Sequence, residues 1–386
     1  MEPRKIDILF LSQGSDFYGS NRVMLEAAKH LAEHGYALKV IFPNKGPILE
    51  EFGKLGIPHV VLNLGILRRK YVHFFGLVNR GYFFLKALIN LILLIKRHQV
   101  TLVYSNGLGV LVGYLASKLA GAKHVWHIHE IIKAPNYFYF FYRTVLNLDS
   151  SHKTAVSEAV RSFWNKKPGE HFTRIYNGFT SVGILENSQR IREELNIPPE
   201  TLVIGMVGRV NYLKGQEYFI KIANELLHFN PKLLFVMVGD PYPGNEYLVE
   251  ELNSFKKTLE ITDSILDLGY RQDVPAILAA LDLFILPSIL PDSFPTVILE
   301  AMGQSKAIVS TAQGGALEML EDSISGIFIP ISKEKEAKDL IIPLLLDKNL
   351  RMAMGKAARR KVLTDFSAEA FKSNLIEKIN SICLSN

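Results

Sequence analysis

The sequence predicts two doubly wound α/β domains in tandem, each built on a parallel sheet. Three observations carry this. Short apolar runs of strand length alternate with longer segments of helical periodicity. The alternation stops once, at the polar stretch ENSQRIREELNIPPE (residues 186–200), and then restarts. A chain of 386 residues also exceeds what one core of ordinary size holds.

The elements follow in order. IDILFL reads as a buried first strand; it contains an Asp, is shorter than a secretory apolar region and runs into a Gly/Ser turn, which argues against a signal peptide. NRVMLEAAKHLAEHG reads as a helix with Val23, Leu25, Ala28 and Leu31 on one stripe and Gly35 at its end. ALKVIF, HVVLN, TLVYSN, HVWHIH and HKTAVS are the further strands of the first half. After the polar stretch come the strands TLVIGMVG, LLFVMVG, SILDLG, LFILPS and AIVSTA. Between them lie the helices GQEYFIKIANELLHF, YLVEELNSFKKTLE, VPAILAAL and PTVILEAMGQ. The expected division is a first domain over 1–185, a second over 186–365 and a closing helix over 366–386.

Composition is that of an ordinary globular chain, 48% hydrophobic and 21% charged. One cysteine, Cys383, excludes an intrachain disulfide and a Cys-based zinc cluster, and fits a reducing cytoplasm. The net charge of +6 is unevenly spread: residues 1–180 carry 23 basic and 11 acidic side chains, the remainder 21 and 27. Between Glu51 and Glu130 there is no acid at all, while Lys54, Arg68, Arg69, Lys70, Arg80, Lys86, Lys96, Arg97, Lys118 and Lys123 all fall there. A one-sign field of this kind attracts an anionic partner.

Residues 66–99 concentrate that field with apolar and aromatic residues. Three readings stand: a helix packed on the sheet with basic caps, a surface that dips into the interface of an anionic membrane, and a nucleic-acid face. No base-reading motif accompanies the last. The longest uncharged apolar part, ALINLILLI, is too short to span a bilayer.

Several motifs bear on chemistry. GSDFYGSN (14–21) has glycine spacing like a nucleotide-triphosphate loop, but Ser20 and Asn21 stand where Lys and Ser/Thr are required, so what survives is a glycine turn between strand and helix. GRVNYLKG (208–215) sets Arg209 and Lys214 just past a strand, where they suit a diphosphate or are two solvated loop cations. VWHIHEI (125–131) ends a strand with His127, His129 and Glu130; strand alternation puts the two histidines on one face, yet the spacing supplies no third and fourth metal ligand. STAQGGALEML (310–320) pairs Gly314 and Gly315 ahead of Glu318, which either let backbone approach a ligand closely or only mark a helix entry with an acidic first turn. PDSFPTVILEAM (291–302) holds Asp292 and Glu300. A helix carrying Glu300 two turns in would separate them by about ten ångströms, wider than suits carboxyls on opposite sides of one glycosidic bond.

The order of these motifs resembles that of the retaining glycosyltransferases of family 4. The matching segments are YGSN, HIHE, AVSEAV, IYNGF, GRVNYLKG, VMVGD, LGYRQDVPAILAALDLFILPS, PDSFPTVILEAM and STAQGGALEML. The likeness runs from about residue 6 to 330, and VLTDFSAEAFKSNLIEKI looks like the family's last helix, which crosses back to the first domain. It implies the GT-B fold, two Rossmann-like domains facing across a cleft, and a nucleotide-diphosphate sugar bound mostly by the second domain.

Residue by residue, Arg209 and Lys214 match the pair that neutralises the diphosphate, consistent with chemistry that needs no metal or other cofactor. Gly19 matches the turn that lets backbone approach the donor. His129 matches the first-domain histidine near the transferred sugar. The helix starting near Pro295 and Thr296, with Phe294 and Val297, points N–H groups at the phosphates. Glu300 matches the glutamate that binds the ribose hydroxyls, and Tyr270 and Arg271 lie where the base edge is met. The chain departs from the family at Tyr18-Gly19, where a glycine pair stands, and at Asp292, where the first glutamate of the acidic pair stands.

The resemblance implies a retaining hexosyltransferase acting on a saccharide or lipid-linked acceptor, such as a lipopolysaccharide or capsule precursor. The expected setting is cytoplasmic, with peripheral contact to an anionic membrane through residues 66–99 and no nucleic-acid partner. Two alternatives remain: a sugar-nucleotide-binding subunit weakened in turnover, and a nucleotide-sugar epimerase of the same fold.

Overall fold

In the computed structural model, which describes residues 5–68, 71–133, 135–149, 151–165, 172–178 and 185–384, the chain forms two compact units. The first comprises Met1–Asn177 with Glu369–Asn386, the second Gly178–Ala368. Arg69 and Lys70 of the basic segment, and Phe179 of IYNGF, lie outside the described residues.

The first unit carries a seven-stranded parallel sheet of β1 (Ile8–Ser12), β2 (Leu38–Phe42), β3 (His59–Val61), β4 (Leu102–Asn106), β5 (Lys123–Ile128), β6 (His152–Ala155) and β7 (Phe172–Arg174). Their spatial order is β3-β2-β1-β4-β5-β6-β7. The order reverses between β1 and β4, which pair in register from Ile8 with Leu102 to Ser12 with Asn106. The connections that follow the two strands lead to opposite sides there, and the crevice between them is where ligands of open α/β sheets bind. β1 is buried at every position, as expected of a strand covered on both faces.

Helix α1 (Gly19–Glu33) buries Val23, Met24, Ala27, Ala28 and Leu31; Leu25, expected on that stripe, lies one position off it and is only partly covered. The other helices of this unit are α2 (Ile48–Lys54), α3 (Phe74–Arg97), α4 (Leu111–Ala120), α5 (Asn136–Leu148) and α6 (Glu158–Trp164), joined by the last helix of the chain, α15 (Ala368–Leu384).

α3 runs well beyond the uncharged segment ALINLILLI, taking in Arg80, Lys86, Lys96 and Arg97. Its 24 residues extend about 36 Å at 1.5 Å per residue, and by length and composition it is apolar enough to cross one. It carries two apolar faces. Gly76, Ala87, Leu91 and Ile95 are buried, the last three in a core with Leu9, Leu11, Val103, Val112 and Ala116. Phe75, Val78, Tyr82, Leu85, Ile89 and Leu93, spaced by three and four, are exposed on another side. A helix that served only the core would be polar there.

The second unit repeats the design with β8 (Val203–Val207), β9 (Leu234–Val238), β10 (Ile265–Asp267), β11 (Leu283–Leu286), β12 (Ala307–Thr311) and β13 (Ile327–Ile329), in the order β10-β9-β8-β11-β12-β13. Its helices are α7 (Ser188–Glu194), α8 (Gln216–Phe229), α9 (Tyr247–Thr258), α10 (Val274–Ala280), α11 (Thr296–Gly303), α12 (Ala316–Met319), α13 (Glu334–Leu346) and α14 (Lys348–Asp365). The core runs from Ile204 and Phe219 through Phe235 and Ile285 to Ile341 and Met354. The reversal of order falls between β8 and β11, so the β8–α8 and β11–α11 loops flank the crevice of this unit.

Candidate functional site

In the second unit, the β8–α8 loop brings Arg209 and Lys214 to the switch point. It leaves the sheet at Gly208, whose N–H is bonded to Val238 O at 2.9 Å. Asn211 Oδ1 then accepts from the N–H groups of Leu213 and Lys214, each at 3.0 Å, closing a turn. Gly215 ends the loop in the left-handed region at φ 78°, where a Cβ would lie 2.1 Å from Pro287 O, so no other residue fits there without movement. Arg209 is buried, with its guanidinium carbon 3.5 Å above the Tyr242 ring centroid and its carbonyl held by Gln216 Nε2 at 2.9 Å.

The β11–α11 loop supplies the acid. Asp292 accepts a short hydrogen bond from Lys214 Nζ, and the two side chains are only 16% and 17% exposed. The expectation that Gly314 and Gly315 open space for a ligand gives way to a nearer cause. A Cβ on Gly314, at φ 59°, would lie 2.1 Å from Asp292 O, and one on Gly315 would lie 2.4 Å from Ser293 O. The Gly315 N–H also donates to Asp292 O at 2.8 Å. The glycines thus let the Asp292 loop sit down against the start of α12.

Pro295 precedes α11 in extended conformation, and no side-chain hydrogen bond caps the helix, so its positive dipole end directly follows the loop that carries Asp292. Thr296 is partly exposed, whereas Pro295 and Val297 are buried. Phe294 is buried with its ring 5.7 Å from that of Phe366, so what it offers a ligand is backbone. Because α11 begins at Thr296, Glu300 is its fifth residue, about one turn in rather than two, and it is 4% exposed.

The structure does not bring Arg271 to this group. Its guanidinium is bound by Glu194 at 2.6 Å and Asp273 at 2.8 Å, and Arg190 of α7 adds a bond of 2.7 Å to Asp273. These hydrogen bonds, Asp273 first, push Arg271 up, and the same Arg271 contact holds Asp273 well below the usual carboxylate range. Arg271 therefore ties the loop after β10 to α7. Tyr270 beside it is exposed.

In the first unit, Gly19 opens α1, and a Cβ built on it meets no atom within 4 Å. Packing alone gives no reason for a glycine there; an approaching ligand would. His129 follows β5, and its Nε2 lies 2.9 Å from Asn106 Oδ1. Asn106 Nδ2 donates to Ser20 O at 3.1 Å, which fixes the amide and assigns the proton of His129 to Nε2. Its Nδ1 is left as an acceptor. Burial, and then the neighbouring His127, hold the His129 pKa well below its ordinary value, so the ring is neutral at pH 7. The two rings lie 4.3 Å apart, the shared face that strand alternation predicts.

Sequence reasoning missed Glu130 as an organiser. Its carboxylate accepts from Gln13 Nε2 at 2.6 Å, from His129 N at 3.1 Å and from Leu108 N at 3.3 Å. One acid thereby joins the loops that follow β1, β4 and β5 at the switch point. Burial pushes its pKa up, against the pull of those hydrogen bonds. The available signal was an acid at a strand end beyond a segment without any other.

Comparison with known proteins identifies the family and the fold. The family model for glycosyl transferases group 1 matches residues 187–361, and that for glycosyltransferase family 4 matches residues 17–180. An Escherichia coli UDP-Gal:alpha-D-GlcNAc-diphosphoundecaprenol alpha-1,3-galactosyltransferase is 23% identical over 94% of this chain and 92% of its own. A lipopolysaccharide 1,2-N-acetylglucosaminetransferase of Salmonella typhimurium is 27% identical over 58% of this chain. A D-inositol 3-phosphate glycosyltransferase of Corynebacterium jeikeium is 31% identical over 44%. The chain spans only 61% and 42% of the length of these last two relatives. Anabaena HepE, crystallised with UDP and glucose, superposes with a TM-score of 0.84 over 97% of this chain and all of its own, at 24% identity. The two family models together span both units, and the chain belongs to glycosyltransferase family 4 and has the GT-B fold.

Proposed function

We propose that the chain transfers a sugar, with retention and without a metal, from a nucleotide-diphosphate sugar to a lipid-linked saccharide or a lipopolysaccharide or capsule precursor. The observation that carries this is the Lys214–Asp292 pair, which joins the two loops flanking the switch point of the second unit, with Arg209 on the same loop as Lys214 and the uncapped start of α11 following the loop of Asp292. Two cations and a helix N-terminus form an electropositive end for the diphosphate, stabilising the charge that develops on it as it leaves. Asp292 takes hydroxyls of the sugar, and Glu300 those of the ribose. In the reaction, the bond from the anomeric carbon to the phosphate oxygen breaks, and the acceptor oxygen bonds to the same face. The departing phosphate takes the acceptor's proton, so no protein nucleophile is required. His129, neutral with Nδ1 as acceptor, orients a sugar hydroxyl and is not an acid.

The acceptor class rests on two supports. Relatives named for diphosphoundecaprenol and lipopolysaccharide substrates match the chain, and the first unit exposes an apolar stripe on α3 beside Arg80, Lys86, Lys96 and Arg97. Such a face suits the interface of an anionic membrane, which points to a protein lying peripherally on the cytoplasmic side. Release of free nucleotide from UDP-, GDP-, ADP- and TDP-sugars, with lipid-linked acceptors and with or without EDTA, tests the proposal. Turnover that survives EDTA and gives the retained anomer is expected; a strict metal requirement or an inverted product overturns the corresponding part. Nucleotide binding without transfer, with transfer restored by Asp292→Glu, would favour a subunit weakened in turnover.

A further inference from the structure

The ion pair between Lys214 and Asp292 has a consequence for which nucleotide the site prefers. Both groups lie on loops with little freedom at the backbone. Lys214 sits in the Asn211 turn just before Gly215, which is pressed on Pro287 O. The Asp292 backbone is pinned by Gly314 and by the Gly315 N–H. Only the side chains are left to rearrange. Each is largely withdrawn from solvent, so either one stripped of its partner would be a charge with little water around it.

We propose that Asp292 is a specificity-determining residue that favours the sugar-bearing nucleotide over the bare nucleoside diphosphate. The inference rests on the reading above that Lys214 takes the donor's diphosphate. When a diphosphate enters, Lys214 turns from Asp292 to a phosphate oxygen, and the carboxylate loses its hydrogen-bond donor. A nucleotide carrying a sugar supplies replacements, because the sugar hydroxyls donate to the vacated oxygens. A nucleoside diphosphate supplies none, so it binds against a stranded carboxylate and against the ion pair that reforms when it leaves. The same residue that grips the donor thus helps expel the nucleotide product. An unsatisfied, partly buried charged group corresponds to a discrimination of about tenfold to a hundredfold.

The test is calorimetric titration of the intact chain with the pairs UDP and UDP-glucose, GDP and GDP-mannose, and ADP and ADP-glucose, on wild type, Asp292→Asn, Asp292→Glu and Lys214→Met. The readout is the ratio of Kd for the bare nucleotide to Kd for its sugar. Removing a negative charge tightens both ligands alike and leaves the ratio unchanged, whereas loss of the exchange shrinks it. Asp292→Asn is expected to tighten the diphosphate and reduce the ratio by about tenfold or more, while Asp292→Glu keeps a ratio above one. A ratio unchanged in Asp292→Asn, with binding that still depends on Lys214, overturns this inference alone. Binding indifferent to Lys214→Met, or absent for every nucleotide, overturns the diphosphate reading and the inference with it.

Discussion

Replacing Leu85, Ile89 and Leu93 together by Gln tests what the outer face of α3 is for. These side chains are 60%, 61% and 63% exposed, and they follow one another at four-residue spacing along one side of the helix. Full burial of such a side chain is worth about 1.5–3 kcal/mol. With roughly three fifths of each still open, about 1–2 kcal/mol per residue remains to be gained on entering a bilayer interface. The triple variant should therefore lose about 3–5 kcal/mol of membrane partitioning, or roughly a hundredfold to several thousandfold. Folding should hardly change, because the face that packs is the other one, with Ala87, Leu91 and Ile95. Co-sedimentation with phosphatidylglycerol vesicles is the assay, with a melting curve beside it. The wild type should bind and be released by high salt, since the flanking lysines and arginines contribute about 1 kcal/mol each at low ionic strength. A folded triple variant that sediments as the wild type does, or a wild type that ignores anionic vesicles, refutes the reasoning.

Further expectations concern the two switch points. Glu130→Gln leaves an amide facing three N–H donors, and should cost about 1–3 kcal/mol of stability together with a fall in kcat/KM, whereas Gln13→Ala, which removes one donor, should cost less. Equal effects of the two would remove the organising role of the acid. Gly314→Ala should destabilise the second unit by about 1–2 kcal/mol from the left-handed backbone alone, before the clash with Asp292 O, and should weaken nucleotide binding; an unchanged melting temperature would contradict it. Burial pushes His127 down to about 3. The unfolded chain therefore takes up a proton near pH 6.5 that the folded chain refuses, and stability falls as pH drops from 6.5 toward 3. One such histidine contributes a slope of about 1.4 kcal/mol per pH unit in that window. His127→Gln should flatten the curve of unfolding free energy against pH by that amount, and parallel curves would refute it.

The order of elements was readable because it follows from one-dimensional patterns. Strands buried on both faces are short continuous apolar runs, and β1, β4, β8 and β12 stand where such runs do. The position of Arg209 and Lys214 just past a strand was readable in the same way, whereas their pairing with a donor, and that of Asp292, came from the order of motifs shared with the family; the reversal of strand order that sets their two loops side by side is seen only in the fold. What could not be read is which of a residue's possible partners it finds. Arg271 stands in the expected segment, yet α7 presents Glu194 to it, and the bidentate geometry of the guanidinium favours two fixed carboxylates over solvent. Gly314 and Gly315 look the same in sequence whether a ligand or the protein's own loop needs the space. Asp292 shows both sides of this limit. Its one missing methylene, relative to glutamate, allows either a loop that sits closer or a different sugar contact, and the structure adds that the carboxylate has a partner within the protein. Its reach is therefore to be judged from Lys214 as well as from the sugar. A shorter side chain that holds the cation until a diphosphate takes it, and regains donors only when sugar hydroxyls come with that diphosphate, turns the departure from the family pattern into a reason for the residue.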